Sequence, residues 1–299
     1  MNDDKKTPFR RIMKISLLAF SVIAALLFVL RSVYAISLFE GLTKEMQASG
    51  WVSAGGDLLM QPNEELTYEA SYLFVKFGTV KLQIVGKTNY DNTPAYRVRA
   101  YIDSYSGIPF VNLHAVYEAV ADAKTFFCLL STNSQKEGDS WVFTSYRFDF
   151  AKKMIFIEQW KEGKLLKQFS IPLGKGYTDG LSFFYYLRAA VQNANGKETN
   201  LSVPIIVADS TRSSVVLTIN EEREPCKVTA YNFPIDSYRM SGYINFKGFF
   251  GVTGDFVGWI STDSAAVPLK ADVKVILGSI VVKLKEVKRN NWIPPRSKS

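Results

Sequence analysis

Few residues in this chain are equipped for chemistry. It holds one histidine, His114, so a Ser-His-acid triad would have to be built on that residue. No G-x-S-x-G stretch presents a serine for such a triad. Cys128 and Cys226 are the only cysteines. Together with His114 they lack the paired spacing of a zinc site. In an oxidising compartment the two thiols could form a disulfide, although Cys128 stands in the apolar run FFCLL, where a buried free thiol is equally natural. Gly248, Gly251 and Gly254 recur at every third position among aromatics, which matches neither a Walker loop nor G-x-G-x-x-G. The pairs Glu64/Glu65 and Glu221/Glu222 have the residue types of glycoside hydrolysis. Their charged company reads as solvated segment edges. No catalytic, metal-ligating or cofactor-binding residue is assigned.

What remains is aromatic supply: 21 Phe, 15 Tyr and 5 Trp, enough either to pack a β core or to line an apolar cavity in a half-closed barrel. The elements that would position these rings are mostly strands. Leu66, Tyr68, Ala70 and Tyr72 alternate with polar neighbours, as do Val80, Leu82 and Ile84, and then Tyr96, Val98, Ala100 and Ile102. Strands are also expected over 116–120, 125–130, 141–150, 154–160, 201–207, 214–219, 226–231, 254–260, 267–275 and 280–287. Gly78, the cluster at 89–94 and Gly278 supply turn chemistry. Short connections favour antiparallel neighbours. One segment departs from period two. The stretch from Asp179 to Val191 reads as a helix capped by Thr178 or Asp179 and ended by Asn195-Gly196. Leu181, Phe184, Tyr185 and Val191 mark its apolar face, with Leu187 or Arg188 between. The expected fold is mainly β: a curved antiparallel sheet or half-open barrel packed on one amphipathic helix.

The amino terminus points to export. Residues 15–30 carry no charge, basic residues precede them and Arg31 follows. That is the order of a secretory signal, and Val33 and Ala35 satisfy the small-residue rule for cleavage after Ala35. A retained anchor of roughly 20 residues is the alternative. Either way the charge bias directs the rest of the chain away from the cytoplasm. The expected organisation is signal or anchor at 1–35, a connecting segment at 36–62, one β-rich domain at 63–288 and a basic extended tail at 289–299. The net charge is +8, too mild an excess outside the leader to argue for nucleic acid. The basic tail, which Pro294 and Pro295 make extended and mobile, is either solvated or set against an anionic membrane surface.

Three stretches then carry a family likeness: ELTYEASYLFVKFGTVKLQIVG, YTDGLSFFYYLR and WISTDSAAVPLKADVKVILGSIVVKL. Over about residues 64–284 the chain resembles the exported bacterial proteins grouped as domain of unknown function 3108. Gly78 matches the glycine after the first strand. Asp179, Gly180, Leu181, Tyr186 and Arg188 match the helix signature, Trp259, Ser261, Asp263 and Pro268 the penultimate hairpin, and Gly278 the final turn. The resemblance implies a curved antiparallel sheet with a helix, located in the bacterial periplasm. It implies no catalytic residues and no cofactor. The shape is similar to that of lipoprotein-localisation carriers, which shelter acyl chains in a half-open barrel. Sheltering a chain in this way is worth about 0.8 kcal/mol per CH₂. A non-catalytic envelope protein binding a lipid or other apolar ligand between sheet and helix is therefore expected, with Phe184, Tyr185, Arg188 and Trp259 facing the ligand. In that reading Arg188 meets an anionic head group. Otherwise it forms a helix-surface salt bridge. The alternative function is a structural or assembly component acting through protein contacts.

Overall fold

The computed structural model describes residues 56–108, 112–173, 177–207, 211–244, 254–275 and 278–298. The expected leader, with its cut site at Ala35, lies outside the described residues. A short helix α1 (Gly56–Leu59) leads into β1 (Glu65–Tyr72), β2 (Val75–Tyr90), β3 (Thr93–Ser104), β4 (His114–Asp122), β5 (Cys128–Glu137), β6 (Ser140–Asp149), β7 (Met154–Lys161) and β8 (Lys164–Pro172). The two-residue β9 (Thr178–Asp179) runs directly into helix α2 (Gly180–Ala194). Then come β10 (Thr199–Val207), β11 (Thr211–Cys226), β12 (Ile235–Ile244), β13 (Gly254–Ser261), β14 (Pro268–Lys274) and β15 (Ser279–Lys288).

All the strands form one 15-stranded sheet in the order β8-β7-β6-β5-β4-β3-β2-β1-β15-β14-β13-β12-β11-β10-β9. The two halves of the chain join where β1 pairs with β15, from Glu65 opposite Lys288 to Tyr72 opposite Ile280. The sheet is a large, open, curved meander, as the alternation of apolar residues predicts. In β2, Val80, Leu82 and Ile84 are buried, and in β6 Val142, Thr144, Tyr146 and Phe148. These residues line the concave side. Among the described residues only β9 pairs in parallel, with β10. Its Asp179 accepts a hydrogen bond from Ser131 of β5 at 3.1 Å. The sheet thus curls until one edge meets β5, while β6, β7 and β8 continue past that point.

α2 fills the curl. The Asp179 carboxylate caps it, accepting from the Leu181 and Ser182 amides at 3.1 and 3.0 Å. Asn195, at φ 49°, ends it. From Leu181 to Val191 every residue except Phe184 is buried. A helix buried on nearly its whole circumference is enclosed, rather than laid across one face.

Four local expectations are corrected. Gly78 is not a turn residue. It lies within β2 opposite Ser104, and a methyl group there would stand 2.6 Å from the Asp103 carbonyl oxygen. The turn falls instead at Leu73-Phe74, both at positive φ. The strand expected over 226–231 ends at Cys226, the last residue of β11. Strands β8 and β12 were not expected: β8 is exposed almost throughout, so period two never appears, and polar residues interrupt the pattern in β12. The tail is docked rather than extended into solvent. Asp236 donates its amide to Pro295 at 2.8 Å and Ser297 to Pro234 at 3.1 Å. The Trp292 indole donates to Asp263 at 2.6 Å and its ring meets Tyr231 edge-on. Pro294 and Pro295 lack N–H donors but keep their carbonyls, and Pro295 uses its own to accept from Asp236.

Candidate functional site

Arg188 sits midway along α2, where the spacing from the Asp179 cap turns it into the curl. It is 1 % exposed. Its Nη1 and Nη2 donate to the two Glu64 carboxylate oxygens at 2.6 and 3.1 Å, a bidentate pair. Its Nε and Nη2 also donate to the Ala265 carbonyl at 3.1 and 2.8 Å. Burial alone would lower the Arg188 pKa. The facing Glu64 carboxylate outweighs this and raises it above the ordinary arginine value. Arg289, the first residue after β15, donates to the same carboxylate and to the Leu58 carbonyl. One carboxylate therefore bridges two guanidiniums, and backbone carbonyls take further donors. Tyr185 stacks beside Arg188, with its ring centroid 5.9 Å from the guanidinium carbon. The Tyr68 hydroxyl donates to Pro268 at 2.9 Å. Burial pushes the pKa of both tyrosines up, so both stay neutral.

This arrangement corrects two readings. Arg188 faces neither a ligand nor the helix surface; the chain's own Glu64 already occupies the position of an anionic head group. Glu64, read as a solvated edge, is 2 % exposed. The signal that finds it is present in the alternation. Leu66, Tyr68 and Ala70 face inward, so Glu64 shares their parity, whereas Glu65 and Glu69 face out.

The other expected ligand-facing residues do not converge. Tyr185 is buried in the curl, and Phe184 lies half-buried at its margin. Trp259 is on the opposite side of the sheet, because its neighbours Gly258 and Ile260 point inward. There its indole donates to Glu224 at 3.0 Å and Lys270 lies 4.5 Å from its ring centroid. The proposed disulfide is absent: Cys128 and Cys226 are both free and buried, on strands far apart in sheet order. Burial, and then the nearby Asp179 carboxylate, raise the Cys128 pKa; burial pushes Cys226 up to about 11. Both are protonated thiols, poor nucleophiles at neutral pH. His114 opens β4 and its Nδ1 lies 2.9 Å from Asp103 across the strand pair. Among the described residues no group of three or more His, Cys, Asp or Glu side chains could hold a metal.

A surface feature that the sequence reading did not single out lies at the β5–β6 and β7–β8 turns. An open cleft of about 440 Å³ is lined by Trp141, Phe143 and Trp160 together with Asp139, Ser140 and Glu162.

Comparison with known proteins gives a family and a fold. A family model described as "Protein of unknown function (DUF3108)" matches residues 67–285. No curated protein matches. Among solved structures, the chain is similar to a beta-barrel-like protein of domain of unknown function DUF1849 from Brucella abortus. The TM-score is 0.52 at 6% identity, over 77% of this chain and 98% of that one. At that identity the likeness concerns the fold alone.

Proposed function

The chain belongs to the DUF3108 family, and from that premise and the geometry above we propose that it is a non-catalytic protein of the bacterial cell envelope. In this reading it works as a structural or assembly component, through contacts on its outer surface. Export is supported by the basic, apolar and small-residue order of residues 1–35. The observation that carries the choice between functions is the interior. A carrier of lipid between sheet and helix needs room there and a free cation. Instead α2 side chains occupy the curl, and Arg188 is held by Glu64 and Ala265. A core filled by the helix suits a protein whose outside does the work.

Mass spectrometry of lipids extracted from protein purified without detergent tests this reading. Lipid at the level of a buffer control is the expected result. Close to one lipid per chain would overturn it in favour of the carrier. Sequencing the amino terminus of the protein recovered from cells tests export separately. A start after Ala35, or an intact terminus in the membrane fraction, supports it; an intact terminus in the cytosolic fraction counts against it.

A further inference from the structure

The β1–β2 turn has the wrong residues for its geometry. Leu73 and Phe74 both have positive φ, 45° and 71°. Two-residue turns of this kind favour Asn, Asp and Gly, because side chains branched or bulky near the backbone are strained there. The β2–β3 turn at the other end of β2 follows that rule, with Asp91 and Asn92 at φ 45° and 63°. The same backbone therefore carries polar residues at one end of the sheet and large apolar ones at the other.

Exposure sharpens the contrast. Phe74 is 101% exposed, and Leu73 and Val75 are 58% and 55%. Leu73 is steadied from below, since a methyl group on Gly278 would come within 3.2 Å of its Cδ2. The antiparallel order brings the β5–β6 and β7–β8 turns to the same end. Beside those turns Trp141, Leu165 and Leu166 are 46%, 44% and 51% exposed. Lys76 stands close by, its side chain 62% exposed while paired with Glu69, and so does the exposed Lys164, which shares its end of the sheet with Asp139 and Glu162. Backbone strain clusters at contact and switch sites, and exposed apolar residues that stand together mark interaction surfaces.

We propose that this end of the sheet docks on a lipid surface. A bare phenyl ring at the apex of a tight turn projects beyond its neighbours, so its receptor has to yield around it, as an acyl-chain boundary does. Leucine, phenylalanine and tryptophan supply the apolar insertion, and nearby lysines meet anionic phosphates. The contact does not depend on the reading of the previous section, since it concerns a surface rather than the filled interior.

The test places a reporter at the apex. Full-length Phe74→Trp protein is reconstituted in phosphatidylethanolamine–phosphatidylglycerol vesicles, beside an Asp91→Trp variant at the opposite end, and each spectrum is read as its difference from the parent, which carries the same five native tryptophans. The expected result is blue-shifted emission at position 74, quenched several-fold more strongly by acyl-brominated lipid than at position 91. Equal emission and equal quenching at the two positions would overturn the proposal. So would a blue shift at position 74 in the absence of lipid, which would assign the tip to a second copy of the chain. Circular dichroism of both variants, matching the parent, ensures that a folded protein is being read.

Discussion

The two ends of the curled sheet solve opposite problems. At one end Glu64 gathers Arg188 from the helix and Arg289 from the tail, while Arg289 also reaches the Leu58 carbonyl of α1. Segments distant in sequence are tied by charge that is buried at Glu64 and Arg188 and partly buried at Arg289. At the other end β1 closes on β2 in a tight turn, and Leu73 and Phe74 stand in water. Ionic groups are inside where the chain is fastened, and apolar groups are outside where it is free. The usual partition is inverted at both ends, and both inversions concern side chains rather than backbone. The backbone from β1 to β8 and from β10 to β15 is antiparallel, so specialisation here is a matter of what the chain carries at each end.

The largest effect should come from the fastened end. Glu64→Gln leaves two guanidiniums buried without their carboxylate, and breaking a buried pair in this way costs about 3–5 kcal/mol. Glu65→Gln, one residue on but facing outward, should cost under about 0.5 kcal/mol. Chemical denaturation of the two variants measures the difference. Equal losses would mean that the end is not held by this pair.

Next is Gly78→Ala. The added methyl would meet the Asp103 carbonyl oxygen at 2.6 Å, and backbone cannot rotate away as a side chain can. A loss of about 1–3 kcal/mol is expected from overpacking. Gly138→Ala, where nothing lies within 4 Å but φ is 63°, serves as a check that strain in the turn and crowding in the sheet are different costs.

A third effect is conditional on pH. Burial raises the Cys226 thiol from 9.0 to about 11. Its contribution to stability is therefore complete below pH 9.0 and declines as pH rises from there toward about 11, because the unfolded thiol ionises first. Denaturation midpoints measured from pH 8 upward should fall more steeply in the parent than in Cys226→Ala, each referred to its own value at pH 8. Parallel curves would mean that the thiol is not buried in this way.

How much of this was legible beforehand depends on whether a residue's surroundings are local. The helix limits were, because Asp179 and Asn195 act on amides and carbonyls within their own turn. The alternating strands were too, since a curled sheet has a dry side. The partners of Arg188 were not: Glu64 precedes β1 and Ala265 lies between β13 and β14, and α2 meets them only once the sheet has curled around it, a juxtaposition that no spacing encodes. Even so, the parity of Glu64 with Leu66 and Tyr68 marked it as inward, and the neighbouring Glu65 masked that signal. β8 escaped notice for a simpler reason. Among the described residues it is an edge with little to bury, so it has no apolar period to detect. The docked tail was hidden by its composition, because basic residues and prolines suggest solvent until Trp292 finds Asp263 and Tyr231.

The smallest predicted effect has the opposite sign, and for that reason it tests the comparison most directly. If Leu73 and Phe74 are kept for contact rather than for folding, replacing them with the residues their backbone favours should stabilise the protein. Leu73→Asn with Phe74→Gly relieves the positive-φ strain at both positions, and Phe74, fully exposed, gives up no packing. A left-handed backbone costs an ordinary side chain roughly 1–2 kcal/mol and the extra freedom of glycine in the unfolded chain offsets roughly 0.5–1 kcal/mol, so a gain of up to about 1 kcal/mol is expected. Leu73 is the counterweight, because it rests near Gly278 and its removal forfeits some contact. A net gain in the denaturation midpoint would identify the apolar turn as a feature held against stability, as the Asp91-Asn92 turn is not. A net loss would mean that Leu73 fastens β1–β2 to β14–β15, and the two ends of the sheet would then differ in what fastens them rather than in whether they are fastened.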